Sequence, residues 1–291
     1  MEKVAILTDS NSGITQAQAD ELGMHIIPMP FNIGDTSYIE NDNITRSEFY
    51  EKISEDIMIS TSPPALEEVM DVWENLLESY EELVFIPMSS GLSSSCQTAI
   101  LLTYEEEFED KVFVVDNQRV SATQRQAVFD AKNMADKGMS AKEIYDVLTN
   151  TRKDFSTYIM VDTLTYLRKG GRITPVATLV GNVMQIKPVL QLQEEKLDAF
   201  AKVKTVKQAK SVMIKQVAKD METRFGGADE KRICLSVAHT NIEKAAAAFR
   251  QEVMEEFPGF QVTLDDLPLS GACHLGPGAL GLSCMKVWES K

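Results

Sequence analysis

The chain has 291 residues, 44% of them hydrophobic and 25% charged, with a formal net charge of -15 at pH 7. That length predicts two domains, each able to bury a core of its own. The acidic balance excludes nucleic acid and anionic membranes as partners, since either requires a basic surface.

No apolar run reaches the ~18 residues of a spanning helix. The expectation is therefore a cytoplasmic protein without stable membrane insertion. Cys96, Cys234, Cys273 and Cys284 form no C-x-x-C pair, so reduced thiols are expected, with no structural metal and no cofactor.

In chain order, the aliphatic run at 4–8 predicts a strand stopped by Asp9-Ser10-Asn11-Ser12-Gly13, then a short helix at 16–22 and a second strand at 24–31. Helical spacing recurs at 46–54 and 66–80. Strands at 83–87 and 112–115 enclose a helix at 93–107, and helices at 121–137 and 141–153 lead to a strand at 158–162. This alternation predicts an α/β domain over 1–157 with a wound, mostly parallel sheet, whose ligand loops lie at the C-terminal ends of the strands. The remainder, 158–291, reads as an α+β layer sandwich. It has a hairpin at 186–192 and 197–204, helices at 206–223 and 242–257, and strands at 233–238 and 262–267.

Two hydroxyl-rich stretches, Thr61-Ser62-Pro63-Pro64 and Ser89-Ser90-Gly91-Leu92-Ser93-Ser94-Ser95, read as helix starts. A helix start presents unpaired amides and a partial positive charge, which makes Thr61, Ser62, Ser93 and Ser94 candidate receptors for a carboxylate or phosphate oxygen. Each stretch also reads as a plain helix cap. No Lys or Arg occurs between Lys52 and Lys111, so an anion held there depends on neutral donors.

The loop His274-Leu275-Gly276-Pro277-Gly278-Ala279-Leu280-Gly281 is dense enough in glycine and proline for a tight turn, with an imidazole at its mouth. Arg168, Lys169 and Arg172 surround Gly170-Gly171. That arrangement fits a helix ending on basic residues and a glycine cap, and equally a place where Arg172 meets a phosphate or a partner. There is no P-loop and no G-x-G-x-x-G. A serine esterase or thioesterase using Ser93 and His274 is the alternative from another class, although Gly91-Leu92-Ser93-Ser94-Ser95 lacks the second glycine of the nucleophile elbow.

Taken in order, Thr8-Asp9-Ser10, Thr61-Ser62-x-Pro64, Ser89 to Ser93, Leu164-x-Tyr166-Leu167-x-Lys169-Gly170-Gly171-Arg172-Ile173, Ile186-Lys187-Pro188 and His274-x-Gly276-Pro277-Gly278-Ala279-x-Gly281 resemble the DegV family over nearly the whole chain. The resemblance implies a non-catalytic protein that binds a long-chain fatty acid, with the carboxylate at a domain junction and the acyl chain in an apolar tunnel. It implies carboxylate contacts from Thr61, Ser62, Ser93, the backbone around Ser94, and His274. Arg172 would face a separate ATP-dependent fatty acid kinase that makes the acyl phosphate. Candidate tunnel residues are Ile159, Val161, Leu179, Val183, Met184, Ile186 and Leu190. The bulk of Thr123 and Arg125 is expected to shape the cavity.

Overall fold

The computed structural model describes residues 2–54, 56–174, 186–193 and 196–289. Its contacts divide the chain into two units, one formed by Met1–Pro30 and Thr61–Lys153, the other by Phe31–Ser60 and Asp154–Glu289.

In the first unit, β1 (Glu2–Asp9), β2 (His25–Ile27), β6 (Tyr80–Ile86) and β7 (Val112–Val114) form a sheet in the order β2-β1-β6-β7. All three pairings are parallel, with Leu7 opposite both His25 and Phe85. Parallel strands need crossover connections, and here those run through α1 (Gln16–Leu22), α3 (Leu66–Leu77) and α4 (Ser95–Leu102), while α5 (Ala122–Asp136) and α6 (Ala141–Asn150) follow the last strand and pack against the sheet. Trp73 of α3, wholly buried, sits edge-on to Phe85 and Phe108 and centres one face of the core. The expected wound α/β domain is present.

The second unit holds a six-stranded sheet of β8 (Phe155–Met160), β9 (Lys187–Leu192), β10 (Asp198–Val203), β11 (Ile233–His239), β12 (Val262–Asp266) and β13 (Leu280–Lys286), in the order β10-β9-β8-β13-β11-β12. Only β11 and β12 run parallel. The amphipathic α8 (Val206–Thr223) and α9 (Glu243–Glu256) bury Met213, Val217, Phe249 and Val253 against Tyr158, Leu235 and Leu282 of one sheet face. The hairpin and both helices match the sequence expectation. Strand β13 adds to it, its start overlapping the end of the expected 274–281 loop.

The sequence reading runs the first domain unbroken through residue 157, whereas 31–60 group with the second unit. The excursion contains β3 (Phe31–Ile33), β4 (Thr36–Tyr38), α2 (Arg46–Lys52) and β5 (Ile59–Thr61), whose last residue returns the chain to the first unit. Its apolar residues Phe31, Ile44, Phe49 and Ile59 have no core of their own. They share one with Tyr166 of α7 (Thr165–Gly170) and with Leu269, Ala272 and Cys273 of α10 (Leu269–Leu275). Burial of four large side chains at roughly 1.5–3 kcal/mol each outweighs adjacency in sequence.

Among the described residues no helix is long and apolar enough to cross a membrane, and no group of three metal-ligating side chains occurs.

Candidate functional site

In the first unit the polar residues gather at the C-terminal ends of the parallel strands, where such sheets place their ligand loops. Asp9 ends β1 and is 1% exposed. Its carboxylate accepts from Asn11 N at 2.9 Å, Met88 N at 2.7 Å and Gln124 Nε2 at 3.2 Å. Burial pushes its pKa up, and those hydrogen bonds pull it part of the way back. Gln124 is wholly buried and also donates to Thr8 Oγ1 at 3.1 Å and Ile86 O at 3.2 Å, which ties α5 to β1 and β6. Asp9 is thus a brace for the loops above it. The Thr8-Asp9-Ser10 motif signalled the position but not this job.

The two hydroxyl-rich stretches differ from the helix caps expected of them. α3 begins at Leu66 with Ala65 before it, and Glu68 Oε2 accepts from Ala65 N at 3.2 Å, so Thr61 and Ser62 stand upstream of the helix start. α4 begins at Ser95, and the preceding Ser94 makes no side-chain capping bond. The Ser93 hydroxyl instead shares a 2.7 Å hydrogen bond with Ser95 Oγ and accepts from Ser95 N at 3.2 Å. Neighbouring Ser90 donates to Asp116 Oδ2 at 2.6 Å, anchoring the loop to the end of β7. Proline explains the first displacement, since the residue before a proline is disfavoured from helical backbone and both Ser62 and Pro63 precede one.

What the two stretches do share is a cavity. Pro63 and Pro64 from one and Ser95 from the other line it, with Leu66 and Val69 of α3, Thr98, Ala99 and Leu102 of α4, and Met29, Phe85 and Asp9 completing the wall. It encloses about 10 Å³, room for a single water. Its walls are mostly apolar, the Ser95 and Thr98 hydroxyls and the Asp9 carboxylate being the polar exceptions. Thr123, wholly buried, bonds back to Val120 O at 2.9 Å and is a loop-closing residue.

The second unit brings Arg172 and His274 together. His274 lies in the last turn of α10, and its ring packs so closely on Gly170 that a Cβ there would fall 2.1 Å from Nδ1. Gly170 is therefore glycine for want of space. The next residue, Gly171, caps α7 with φ 67°, and Arg168 and Lys169 occupy its last turn, so the helix-ending reading of this motif is realised. Arg172 donates from Nη1 to Gly170 O. Burial, reinforced by the nearby Arg172 charge, holds the His274 pKa down at about 4. At neutral pH the imidazole is uncharged.

The loop after His274 is fastened by a residue that sequence reasoning missed. Thr240, wholly buried just beyond β11, donates through Oγ1 to Gly276 O at 2.6 Å and accepts from Ala279 N at 2.8 Å. Its carbonyl accepts from Gly278 N at 2.8 Å. Gly276 and Gly278 have φ of 68° and 89°, and added Cβ atoms would meet the Tyr166 ring at 2.3 Å and Asp162 Oδ2 at 2.6 Å. Asp162 in turn pairs with Lys187 of the Ile186-Lys187-Pro188 motif at 2.6 Å. Both glycines are thus required twice over, for backbone and for space.

Of the residues expected to wall a tunnel, Ile159, Val161 and Leu190 are buried in the second unit and Ile186 is half-buried. Leu179, Val183 and Met184 lie outside the described residues.

The model of a family described as uncharacterised, the DegV family, matches residues 3–287. A DegV domain-containing protein of Staphylococcus aureus (strain N315) is 31% identical over 284 residues, 96% of each chain. Among solved structures, a DegV family protein from Thermus thermophilus described by its fatty acid binding superposes with a TM-score of 0.88 at 29% identity, covering 98% of this chain and 100% of that one. DegV from Bacillus subtilis, described as a fatty acid binding protein, gives 0.85 at 25% identity, with 98% and 100% covered.

Proposed function

The chain belongs to the DegV family, and from that membership we propose that it binds a long-chain fatty acid, with neutral donors on the carboxylate and the acyl tail in apolar surroundings. The observation that carries this reading is the likeness over nearly the whole chain to solved proteins of the family. The fatty acid binding described for the Thermus thermophilus and Bacillus subtilis proteins supports it.

The tail supplies the affinity. At ~0.8 kcal/mol per methylene, a sixteen-carbon acid has a gross driving force on the order of 11 kcal/mol before the costs of association. The first-unit cavity, with room for one water, is too small for such a tail as it stands. Thr61, Ser62, Ser93 and Ser94 offer carboxylate contacts in the first unit and His274 offers one in the second, each hydrogen bond to a charged oxygen contributing about 1.5–3 kcal/mol. A neutral His274 donates one N–H to a carboxylate oxygen that reaches it. The negative charge arriving there favours the protonated ring and raises its pKa again.

Arg172 serves a separate ATP-dependent kinase, offsetting the charge that develops as the bound acid becomes an acyl phosphate. This chain presents the substrate and performs no chemistry itself. The Ser93 hydroxyl is engaged with that of Ser95, a contact that does not activate a nucleophile, so the esterase reading gains nothing from it.

Native mass spectrometry of the purified protein should find one fatty acid per chain, and Thr61→Ala and Ser93→Ala should each weaken binding by roughly 1–3 kcal/mol while melting changes little. A protein that arrives empty, binds no fatty acid after delipidation, and labels rapidly with a fluorophosphonate at Ser93 would replace this reading with the esterase.

A further inference from the structure

Helix α10 delivers His274, yet nothing local starts that helix. The preceding Pro268 has no side-chain donor or acceptor and makes no capping bond, while the first amides of any helix need acceptors from elsewhere. The acceptor comes from the 31–60 excursion. Glu40 Oε2 accepts from Leu269 N at 2.7 Å across 229 residues of sequence, placing a carboxylate at the positive end of α10. Glu40 Oε1 pairs with Arg46 Nη2 at 2.6 Å, and Arg46 Nη1 donates to Leu267 O at 2.7 Å. Leu267 N completes the hold by donating to His239 O at 2.9 Å. Three bonds therefore grip residues 267–269, and Thr240 grips the chain again from Gly276 onward.

From this geometry we propose that Glu40, seconded by Arg46, is the positioning residue for His274: it fixes the start of α10 and so sets where the imidazole lies against Gly170. The seven residues of α10 make two turns, a rod short enough for a tilt at Leu269 to carry through to His274, about 7 Å further along the axis. The Glu40 side chain is 15% exposed, and burial raises its pKa while Arg46 and the Leu269 amide lower it. An ion pair so placed adds little net stability compared with apolar packing, and its use lies in register. The apolar part of the excursion presses on the same two helices through Phe31, Phe49 and Ile44. The 31–60 excursion is then a bracket for the head-group histidine. This inference rests on reading His274 as a carboxylate contact.

The test reads His274 directly. The chain has three histidines, so ring-labelled protein gives three imidazole signals, assigned by single substitution. In ligand-free Glu40→Ala the His274 midpoint should rise by about one pH unit or more toward its ordinary value as the ring reaches water, with fatty-acid Kd roughly tenfold weaker. Glu40→Gln keeps an acceptor for Leu269 N and should restore most of both. Thr205→Ala removes the side-chain cap of α8, Thr205 Oγ1 accepting from Gln208 N at 3.2 Å in the same unit; it should lower melting without moving the His274 signal. If Glu40→Ala does not fold, Arg46→Lys, which loses the two-pronged hold, must shift the same signal. An unchanged His274 signal and titration in the folded variants would reduce Glu40 to ordinary scaffolding. Wild-type affinity in His274→Ala would overturn the carboxylate reading instead, leaving the imidazole titration to decide what Glu40 does.

Discussion

Acidification should destabilise the second unit through a single imidazole. His274 titrates at about 4 in the folded chain against an ordinary 6.5, through burial first and Arg172 second. Unfolded, it takes up a proton as the pH falls through 6.5; folded, it stays neutral until about 4. Between those limits the unfolded state holds more protons, so the contribution is complete above 6.5 and lost progressively down to about 4. The gap corresponds to roughly 3 kcal/mol. His239 is depressed in the same sense, chiefly by burial. Asp9 and Glu40 are raised by burial and act oppositely, losing stability as pH rises through their folded pKa values. A comparison with His274→Gln removes these common contributions. The two tryptophans lie one in each unit, Trp73 in the first and Trp288 in the second, so urea unfolding followed through Trp288 in a Trp73→Phe background reports the relevant unit. Between pH 7 and pH 4 the parent should lose about 3 kcal/mol more than the His274→Gln variant. Parallel curves over that range would mean that the imidazole titrates normally and is open to water.

Gly170→Ala puts a methyl 2.1 Å from His274 Nδ1; the ring must move, so both fatty-acid affinity and the depressed His274 titration should be lost together, as calorimetry and NMR would show. Thr240→Val leaves Gly276 O and Ala279 N without their side-chain partner, and urea unfolding should register a loss of about 2 kcal/mol or more. Arg172→Ala should keep fatty-acid affinity within about threefold yet impair transfer of phosphate by the cognate kinase; phosphorylation at the parent rate would leave Arg172 as no more than a helix-ending charge.

Much of this protein is determined locally and can be read in the chain alone. Strand and helix periods, set by which side chains share a face, located the parallel strands of the first unit, the 206–223 helix and the hairpin of the second. The glycines of the 274–281 loop announced a turn, because φ above zero and the closeness of Tyr166 and Asp162 admit no other residue. Other features depend on which face finds which partner, and only packing answers that. The 31–60 segment looks like an ordinary part of the first domain until Phe31 and Phe49 are seen buried with Leu269 and Cys273. Strand β13 has only its first two residues, assigned to the 274–281 loop, marked in the sequence, and becomes a strand where β8 and β11 close on it from both sides. Glu40 gives no local sign of its role, since its acceptor is spent on an amide 229 residues away. Nor can composition reveal that His274 is neutral, for that follows from the burial of its ring and the charge of Arg172 beside it. Local chemistry sets the period and the turns; the long-range balance of buried faces and paired charges sets where the functional groups stand and in which protonation state.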